Sequence, residues 1–186
     1  MVMAGFRRGP FVKTTRTAIL TAAGGKGLAT AGAGDSQDPE SRELGTNDVN
    51  FHYLAFDKDT EQHAWWNFAM PDSWDGGTIK ATFHWTFASG SPGGVTWGIA
   101  GRSFGEGEAM DQALGTEIEV DDTATTADDL HISSQSAAVT LAGSPTGGEG
   151  VYLVVARKTA DANDTHPADA QLLSVLIEYA VSGKPD

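Results

Sequence analysis

The chain has 186 residues, no cysteine, and a formal net charge of −13 from 12 Lys and Arg against 25 Asp and Glu. A chain of this length can bury a sizeable core without covalent staples. The absence of cysteine excludes disulfides, thiolate metal sites and a cysteine nucleophile. The acidic balance argues against nucleic acid and anionic membranes as partners. No run of about 18 uninterrupted apolar residues occurs, so the sequence predicts no membrane span.

Charge is distributed unevenly along the chain. Residues 1–34 contain five basic residues and no acidic one, whereas residues 35–186 contain the other seven Lys and Arg and all 25 acidic residues. A basic segment attached to an acidic body can lie across another acidic surface, such as a second copy of the protein. We therefore expect residues 1–48 to form an extended N-terminal arm with linker and residues 49–186 to form the folded domain.

The arm contains one β-prone stretch, from Phe11 to Leu20, which we expect to add a strand to the sheet edge of a partner. Residues 21–50 are rich in Gly, Ala, Ser and Asp, which is typical of a linker. A twin-arginine export signal is an alternative interpretation, but the apolar stretch at residues 18–23 is short for one. The arm residues predicted to contact the partner are Arg7, Arg8, Phe11, Val12, Lys13, Arg16 and Ile19.

The pattern of the body has a period of two residues, which is typical of β-strands. The clearest example runs from residue 78 to 88, with Ile79, Ala81, Phe83, Trp85 and Phe87 on one face. Further strands are predicted at residues 50–56, 62–70, 95–99, 116–121, 137–142, 151–157 and 172–180. One short helix is predicted at Glu106–Leu114, ended by Gly115. The predicted fold is all-β, an antiparallel β-sandwich of jelly-roll type with that one helix.

All five tryptophans lie between residues 65 and 97, and such a cluster could form a platform for sugars. Three of them, at positions 66, 85 and 97, are in phase with the aliphatic residues of their strands, which places them in the core. Only Trp65 and Trp74 escape that argument and remain candidates for ligand binding. Trp74 lies in a turn, where its indole could equally close the end of the sandwich.

Other residue patterns give no catalytic, cofactor or metal site. The five histidines show no metal-ligand spacing, and no glycine-flanked nucleophilic serine or phosphate-binding loop is complete. Acidic loops at residues 57–61, 121–122 and 161–169 could hold calcium, but none has the twelve-residue helix–loop–helix calcium pattern, and solvated turns are the favoured interpretation. Paired carboxylates for glycoside hydrolysis are not placed beside aromatic residues, where a raised pKa arises.

Several segments of the body together resemble structural proteins of tailed-bacteriophage virions. The segments are Ala55-Phe56-Asp57, Trp66 to Gly77, Phe83-His84-Trp85-Thr86, Trp97 to Ser103 and Leu172 to Tyr179. The resemblance covers roughly residues 49–180 and transfers no site residue. It implies a capsid decoration (cement) protein on the outer surface of the virion, a homotrimer that binds the major capsid protein.

The sequence thus supports two hypotheses from different classes. The first is a non-enzymatic capsid decoration protein that docks through residues 1–48 and is held by avidity. The alternative is a carbohydrate- or receptor-binding module of a phage fibre, for which Trp65 and Trp74 would bind the ligand. A calcium-stabilised hydrolase domain is a third interpretation.

Overall fold

The computed structural model describes residues 14–28, 34–35 and 38–182. Twelve strands lie in these ranges, and a 3₁₀ turn at Ala22–Gly24 is their only helical element. The strands are β1 (Thr14–Thr21), β2 (Lys26–Gly27), β3 (Gly34–Asp35), β4 (Glu40–Leu44), β5 (Val49–Phe56), β6 (Gln62–Ala69), β7 (Trp74–Thr86), β8 (Gly93–Phe104), β9 (Ile118–Ala124), β10 (His131–Ile132), β11 (Gly150–Arg157) and β12 (Ala170–Val181). No helix in the described part of the chain is long and apolar enough to cross a membrane.

The strands form two six-stranded sheets that pack face to face. The first sheet has the order β10-β7-β12-β5-β4, with β1 also paired to β12. The second sheet has the order β2-β6-β11-β8-β9, with β3 paired to β6. All pairs except β3 with β6 are antiparallel. From β5 to β8, consecutive strands alternate between the sheets, so the predicted jelly-roll-like antiparallel sandwich is confirmed.

The core lies between the sheets and is dominated by aromatic rings. Trp97 is fully buried and packs between the rings of Phe56 and Phe83, with centroid distances of 5.2 and 5.6 Å. Trp85 lies 6.0 Å from Trp97, and Trp66 is also buried. The period-two pattern therefore identified the inward faces of β6, β7 and β8 correctly, because alternation along a strand fixes which side chains share a face.

The structure corrects the expectation of an extended arm wherever the first 48 residues are described. Strand β1 pairs along its whole length with β12 of the same chain, from Thr14 opposite Val181 to Thr21 opposite Ser174. Leu20 belongs to the buried core. Strand β4 forms a hairpin with β5, so a domain boundary at residue 49 would divide that hairpin.

The helix predicted at Glu106–Leu114 is wrong. These residues form a turn followed by an irregular segment beside the end of β8. A helix this short is marginal without tertiary support. Here the segment bonds to β8 instead, because Arg102 donates from Nη1 to the carbonyl oxygen of Ala113 (3.0 Å) and from Nη2 to Oε1 of Gln112 (2.6 Å).

The strand predicted at residues 137–142 is also wrong, although its apolar residues are buried. Val139 forms a single bridge with Ile79, and Ala142 forms another with Arg102. Val139 and Leu141 contribute to the core. The segment thus closes one side of the sandwich without joining either ladder.

Candidate functional site

The outer face of the second sheet carries a stacked aromatic pair, Trp65 on β6 and Tyr152 on β11. Their ring centroids are 5.8 Å apart and the rings are inclined by 29°. Their sequence neighbours Trp66 and Leu153 point into the core, so alternation turns Trp65 and Tyr152 outward. Both rings are half-buried, which leaves part of each exposed. Partial burial also raises the pKa of the Tyr152 phenol.

A hydrogen bond fixes the indole of Trp65. Its Nε1 donates to the carbonyl oxygen of Gly27 on the neighbouring strand β2, at 3.2 Å. Strand β2 is itself paired with β6, with Lys26 opposite Trp65. The ring orientation is therefore set by the sheet, and its polar edge is already satisfied. The indole is left as an apolar surface for contact.

The aromatic surface continues diagonally across β8. Tyr152 lies opposite Arg102, and Gly150 lies opposite Phe104 in the β11–β8 ladder. The guanidinium carbon of Arg102 is 5.5 Å from the centroid of the Phe104 ring, which is a cation–π contact. Trp65, Tyr152 and Phe104 thus lie on three adjacent strands. Trp65 lies level with Val154 of β11 and Phe104 with Gly150, so they are four positions apart along the strands, about 13 Å.

This surface ends in an open groove of about 660 Å³. It is formed where β6 and β8 end and β11 begins. Apolar side chains dominate its walls, and Met110 at its rim is among the most exposed apolar residues of the described chain. Its residues are Asn67, Phe68, Ala69, Phe104, Gly105, Glu106, Met110, Gly148, Glu149, Gly150 and Val151.

The opposite end of the same face is closed by ion pairs. Lys158 Nζ lies 2.7 Å from Oε1 of Glu61 and 2.9 Å from Oε1 of Glu117. Glu117 and Lys158 cover Gly98, where an added Cβ would come within 2.8 Å of the Glu117 carboxylate. These charges satisfy one another, so the open, aromatic half of the face is the candidate binding surface.

The two tryptophans that the sequence singled out have different environments. Trp65 lies on the candidate surface, whereas Trp74 is 2% exposed and belongs to the core. The indole of Trp74 therefore cannot stack on a ligand without unfolding its surroundings. The placement of Trp66, Trp85 and Trp97 in the core is confirmed.

The predicted arm residues are only partly described. Arg16 and Ile19 lie on β1 with exposed side chains, and Ile19 is 63% exposed. The remaining predicted contacts, Arg7, Arg8, Phe11, Val12 and Lys13, lie outside the described residues. Strand β1 pairs within its own chain, so a partner's sheet is not needed to order it.

The acidic loops serve structural roles. Asp57 Oδ1 accepts hydrogen bonds from the backbone N–H groups of Asp59 and Thr60, at 2.8 and 2.7 Å. Asp164 is buried against Arg157 rather than solvated, which corrects the interpretation of residues 161–169 as a purely solvated turn. Within residues 14–28, 34–35 and 38–182, no three His, Asp or Glu side chains cluster as metal ligands.

Sequence reasoning missed Tyr152, Phe104 and Glu149. Alternation in residues 151–157 places Tyr152 opposite in phase to Val151 and Leu153, so its outward position could have been found. Phe104 precedes a glycine-containing turn and Glu149 follows another. Both residues line one groove because β8 pairs with β11. That pairing is not visible in either segment alone.

No protein-family model matches the sequence, and a search of curated proteins finds no match. Solved structures with a similar arrangement include a xylan-binding domain, CBM22-2, from Paenibacillus barcinonensis. It has 10% identity and a TM-score of 0.47, with 87% of this chain and 98% of that chain covered. A family 11 carbohydrate-binding module from Clostridium thermocellum has 12% identity and a TM-score of 0.38, covering 91% and 89%.

A cycloisomaltooligosaccharide glucanotransferase from Paenibacillus sp. is also similar, with 11% identity and a TM-score of 0.44. The alignment covers 85% of this chain but only 18% of the glucanotransferase, so this protein spans a small part of that enzyme's length. Since these three TM-scores are below 0.5, we draw the function from the geometry of the aromatic surface and its groove.

Proposed function

We propose that this protein is a non-catalytic saccharide-binding domain. The observation that carries the proposal is the partly exposed, stacked pair of Trp65 and Tyr152 on the outer face of β6 and β11. Indole and phenol rings present flat apolar faces, and the C–H face of a pyranose packs on such surfaces. The Trp65 ring is held by its bond to Gly27, so little conformational entropy is lost when a ligand binds.

The shape of the surface favours a chain over a single sugar. Three aromatic rings lie on a diagonal that leads into a groove open to solvent. An extended ligand can contact Trp65 and Tyr152 with one unit and the groove with the next. Each unit adds modest contact area, so we expect affinity to increase with the length of the oligosaccharide.

The experiment measures binding of xylohexaose, cellohexaose and β-1,4-galactotriose by isothermal titration calorimetry. We expect at least one of them to bind, and Trp65→Ala to weaken that binding about tenfold or more, because a stacked ring with its buried area is lost. Phe51→Ala is the matched control, since Phe51 is a half-buried aromatic residue on β5 of the other sheet. The proposal is wrong if none of the three binds, or if the two variants bind equally.

Attachment to a virus particle is a separate proposal, supported by the sequence resemblance and by the basic residues of the first 34 positions. In this proposal, the protein is a capsid decoration protein that forms a trimer on the outer capsid surface and binds the major capsid protein. Deletion of residues 1–13 tests it, because this deletion keeps every described core residue. The proposal expects the full chain to sediment with capsids as a trimer and the deletion variant to remain in solution. Equal binding of both proteins would remove the role of residues 1–13.

A further inference from the structure

One carboxylate in the groove is held in a fixed orientation. Oε2 of Glu149 accepts hydrogen bonds from the Ser103 hydroxyl at 2.7 Å and from the Thr146 backbone N–H at 3.0 Å. Ser103 is buried and Glu149 is partly buried, so neither side chain is free to rearrange. Because both donors bond to Oε2, the other carboxylate oxygen, Oε1, points away from them.

The other oxygen, Oε1, is left open on the side of Gly105. An added Cβ on Gly105 would lie 3.2 Å from Oε1, and both residues line the groove. The Ser103 hydroxyl and the Thr146 backbone N–H both donate to Oε2, and neither donates to Oε1. The absence of a side chain at position 105 therefore gives a ligand access to an oxygen that still has its acceptor capacity.

The groove has an acidic character. Its charged lining residues are Glu106 and Glu149. The nearby cation, Arg102, is engaged by the Ala113 carbonyl, by Gln112 and by the face of Phe104. The hydrogen bond from Ser103, followed by that from Thr146, holds the pKa of Glu149 below its ordinary value, so this group stays ionised at neutral pH. An ionised carboxylate only accepts hydrogen bonds.

We propose that Glu149 is a specificity-determining residue that selects uncharged saccharides, by accepting a hydrogen bond from a sugar hydroxyl at Oε1 and by repelling sugar carboxylates. This inference rests on the proposed saccharide-binding function. A neutral sugar presents many hydroxyl donors, and one bonded to a charged acceptor forms a strong hydrogen bond. A uronate in the same position would place two like charges together in a partly desolvated groove.

Glu149→Gln provides a sharp test because the two donors constrain the amide. The Thr146 backbone N–H can only donate, so the glutamine oxygen takes the Oε2 position, where Ser103 also donates, and its NH₂ group takes the Oε1 position. The groove then offers a donor where it offered an acceptor, with almost no change in volume. We expect the affinity for the neutral oligosaccharide that binds best to fall about tenfold. We expect binding of trigalacturonate, which is excluded from the wild type, to become detectable.

Gly105→Ala tests the same site without changing any charge. Its methyl group would cover Oε1, so neutral binding should weaken, while trigalacturonate should remain excluded. Glu119→Gln is the charge-matched control, because Glu119 lies on β9 opposite Gly98, towards the other end of β8. We expect that variant to bind as the wild type does.

The outcomes separate this inference from the proposed function. If wild type binds a neutral oligosaccharide through Trp65 but Glu149→Gln and Glu119→Gln bind it equally, the role of Glu149 is wrong and saccharide binding stands. If the wild type binds trigalacturonate as strongly as the neutral ligand, the proposed selection of uncharged saccharides is also wrong. If no saccharide binds, both proposals are wrong.

Discussion

The guanidinium of Arg157 forms a two-point ion pair with the carboxylate of Asp164 in the interior of the protein. Nη2 lies 2.8 Å from Oδ1 and Nε lies 3.0 Å from Oδ2, with the two side chains 0% and 1% exposed. Arg157 also donates to the carbonyl oxygens of Ala168 and His166, at 2.8 and 2.9 Å. Asp164 accepts a further bond from the backbone N–H of Thr96. The pair therefore fixes the loop between β11 and β12 against β8.

Replacing Arg157 by methionine should destabilise the fold strongly. The substitution leaves the Asp164 charge buried without its partner, and such a loss lowers the free energy of unfolding by about 3–5 kcal/mol. Urea denaturation followed by tryptophan fluorescence measures the change. The double variant Arg157→Met with Asp164→Leu should recover part of the loss, because it removes both buried charges. A single variant as stable as the wild type would show that the ion pair does not hold the loop.

The ring of His166 makes the stability of the same loop dependent on pH. The ring is buried and lies edge-on to Phe87, with centroids 4.4 Å apart. Burial, and then the charge of Arg157, lower its pKa below the ordinary 6.5. The folded state thus favours the neutral ring, so this contribution to stability is complete above pH 6.5 and is lost as the pH falls below it.

Protonation of His166 should lower the free energy of unfolding by at most about 1.4 kcal/mol for each pH unit. Thermal or urea unfolding at pH 7.5 and 5.5 measures it. Comparison with His166→Gln isolates the contribution of the ring, because glutamine does not titrate. The variant should lose less stability between the two pH values than the wild type. If both lose the same amount, protonation of His166 is not the cause.

The alternation of apolar and polar residues along each strand predicted more of this fold than any feature that joins residues distant in sequence. The predicted inward face of β7, from Ile79 to Trp85, is confirmed, because each residue's face follows from its neighbours in sequence. The pairing of β1 with β12 joins opposite ends of the chain, and nothing in either segment specifies the other. A β-prone segment carries the same local signal whether it pairs with its own chain or with a partner, so the predicted arm was assigned to the wrong sheet.

The candidate site was predictable only in part for the same reason. Trp65 was identified because it is out of phase with the buried residues of β6. The role proposed for Glu149 depends on Ser103 and Thr146, which donate to its carboxylate, and on Gly105, which has no side chain to cover Oε1. Thr146 and Glu149 are neighbours in sequence, but the β8–β11 ladder is what brings them to Ser103 and Gly105. A prediction from sequence alone treats Glu149 as one more acidic turn residue.

Strand β1 should be required for stability, and two adjacent residues test this. Leu20 is 6% exposed and lies in the core, whereas Ile19 is 63% exposed on the outer face. Leu20→Ala should lower the free energy of unfolding by about 2–5 kcal/mol, because it leaves a cavity between the sheets. Ile19→Ala should change it by less than about 0.5 kcal/mol. Equal effects of the two substitutions would show that β1 does not pack its Leu20 side chain into the core.

Removal of the whole segment gives a second measurement. Deletion of residues 1–28 removes Leu20, Ala22 and the carbonyl oxygen of Thr21, which accepts a 2.9 Å hydrogen bond from Trp66 Nε1. We expect this variant to have a clearly lower melting temperature than the variant that lacks only residues 1–13. A melting temperature shared by both deletions would contradict the burial of β1 and its following turn.

The hydroxyl of Tyr53 links the β4–β5 hairpin through a 2.6 Å hydrogen bond that it donates to Oε2 of Glu40. This bond, together with burial, raises the pKa of Tyr53 from 10.0 to about 12. The hairpin gains stability from the protonated phenol below pH 10.0, and this gain is lost as the pH rises through about 12. The absorbance of tyrosinate during an alkaline titration follows the group, and Tyr53→Phe assigns the signal.

Glu40→Gln should shift this titration towards pH 10.0, because a neutral amide no longer disfavours the phenolate. Glu43→Gln is the matched control, since Glu43 lies on the same strand opposite Asn50 and its side chain is exposed. That variant should leave the titration of Tyr53 unchanged. A phenol that titrates at its ordinary pKa in the wild type, or one that responds equally to both substitutions, would show that Glu40 does not hold the hydroxyl. The hairpin would then depend on its backbone ladder and on the 2.6 Å ion pair between Arg42 and Asp128.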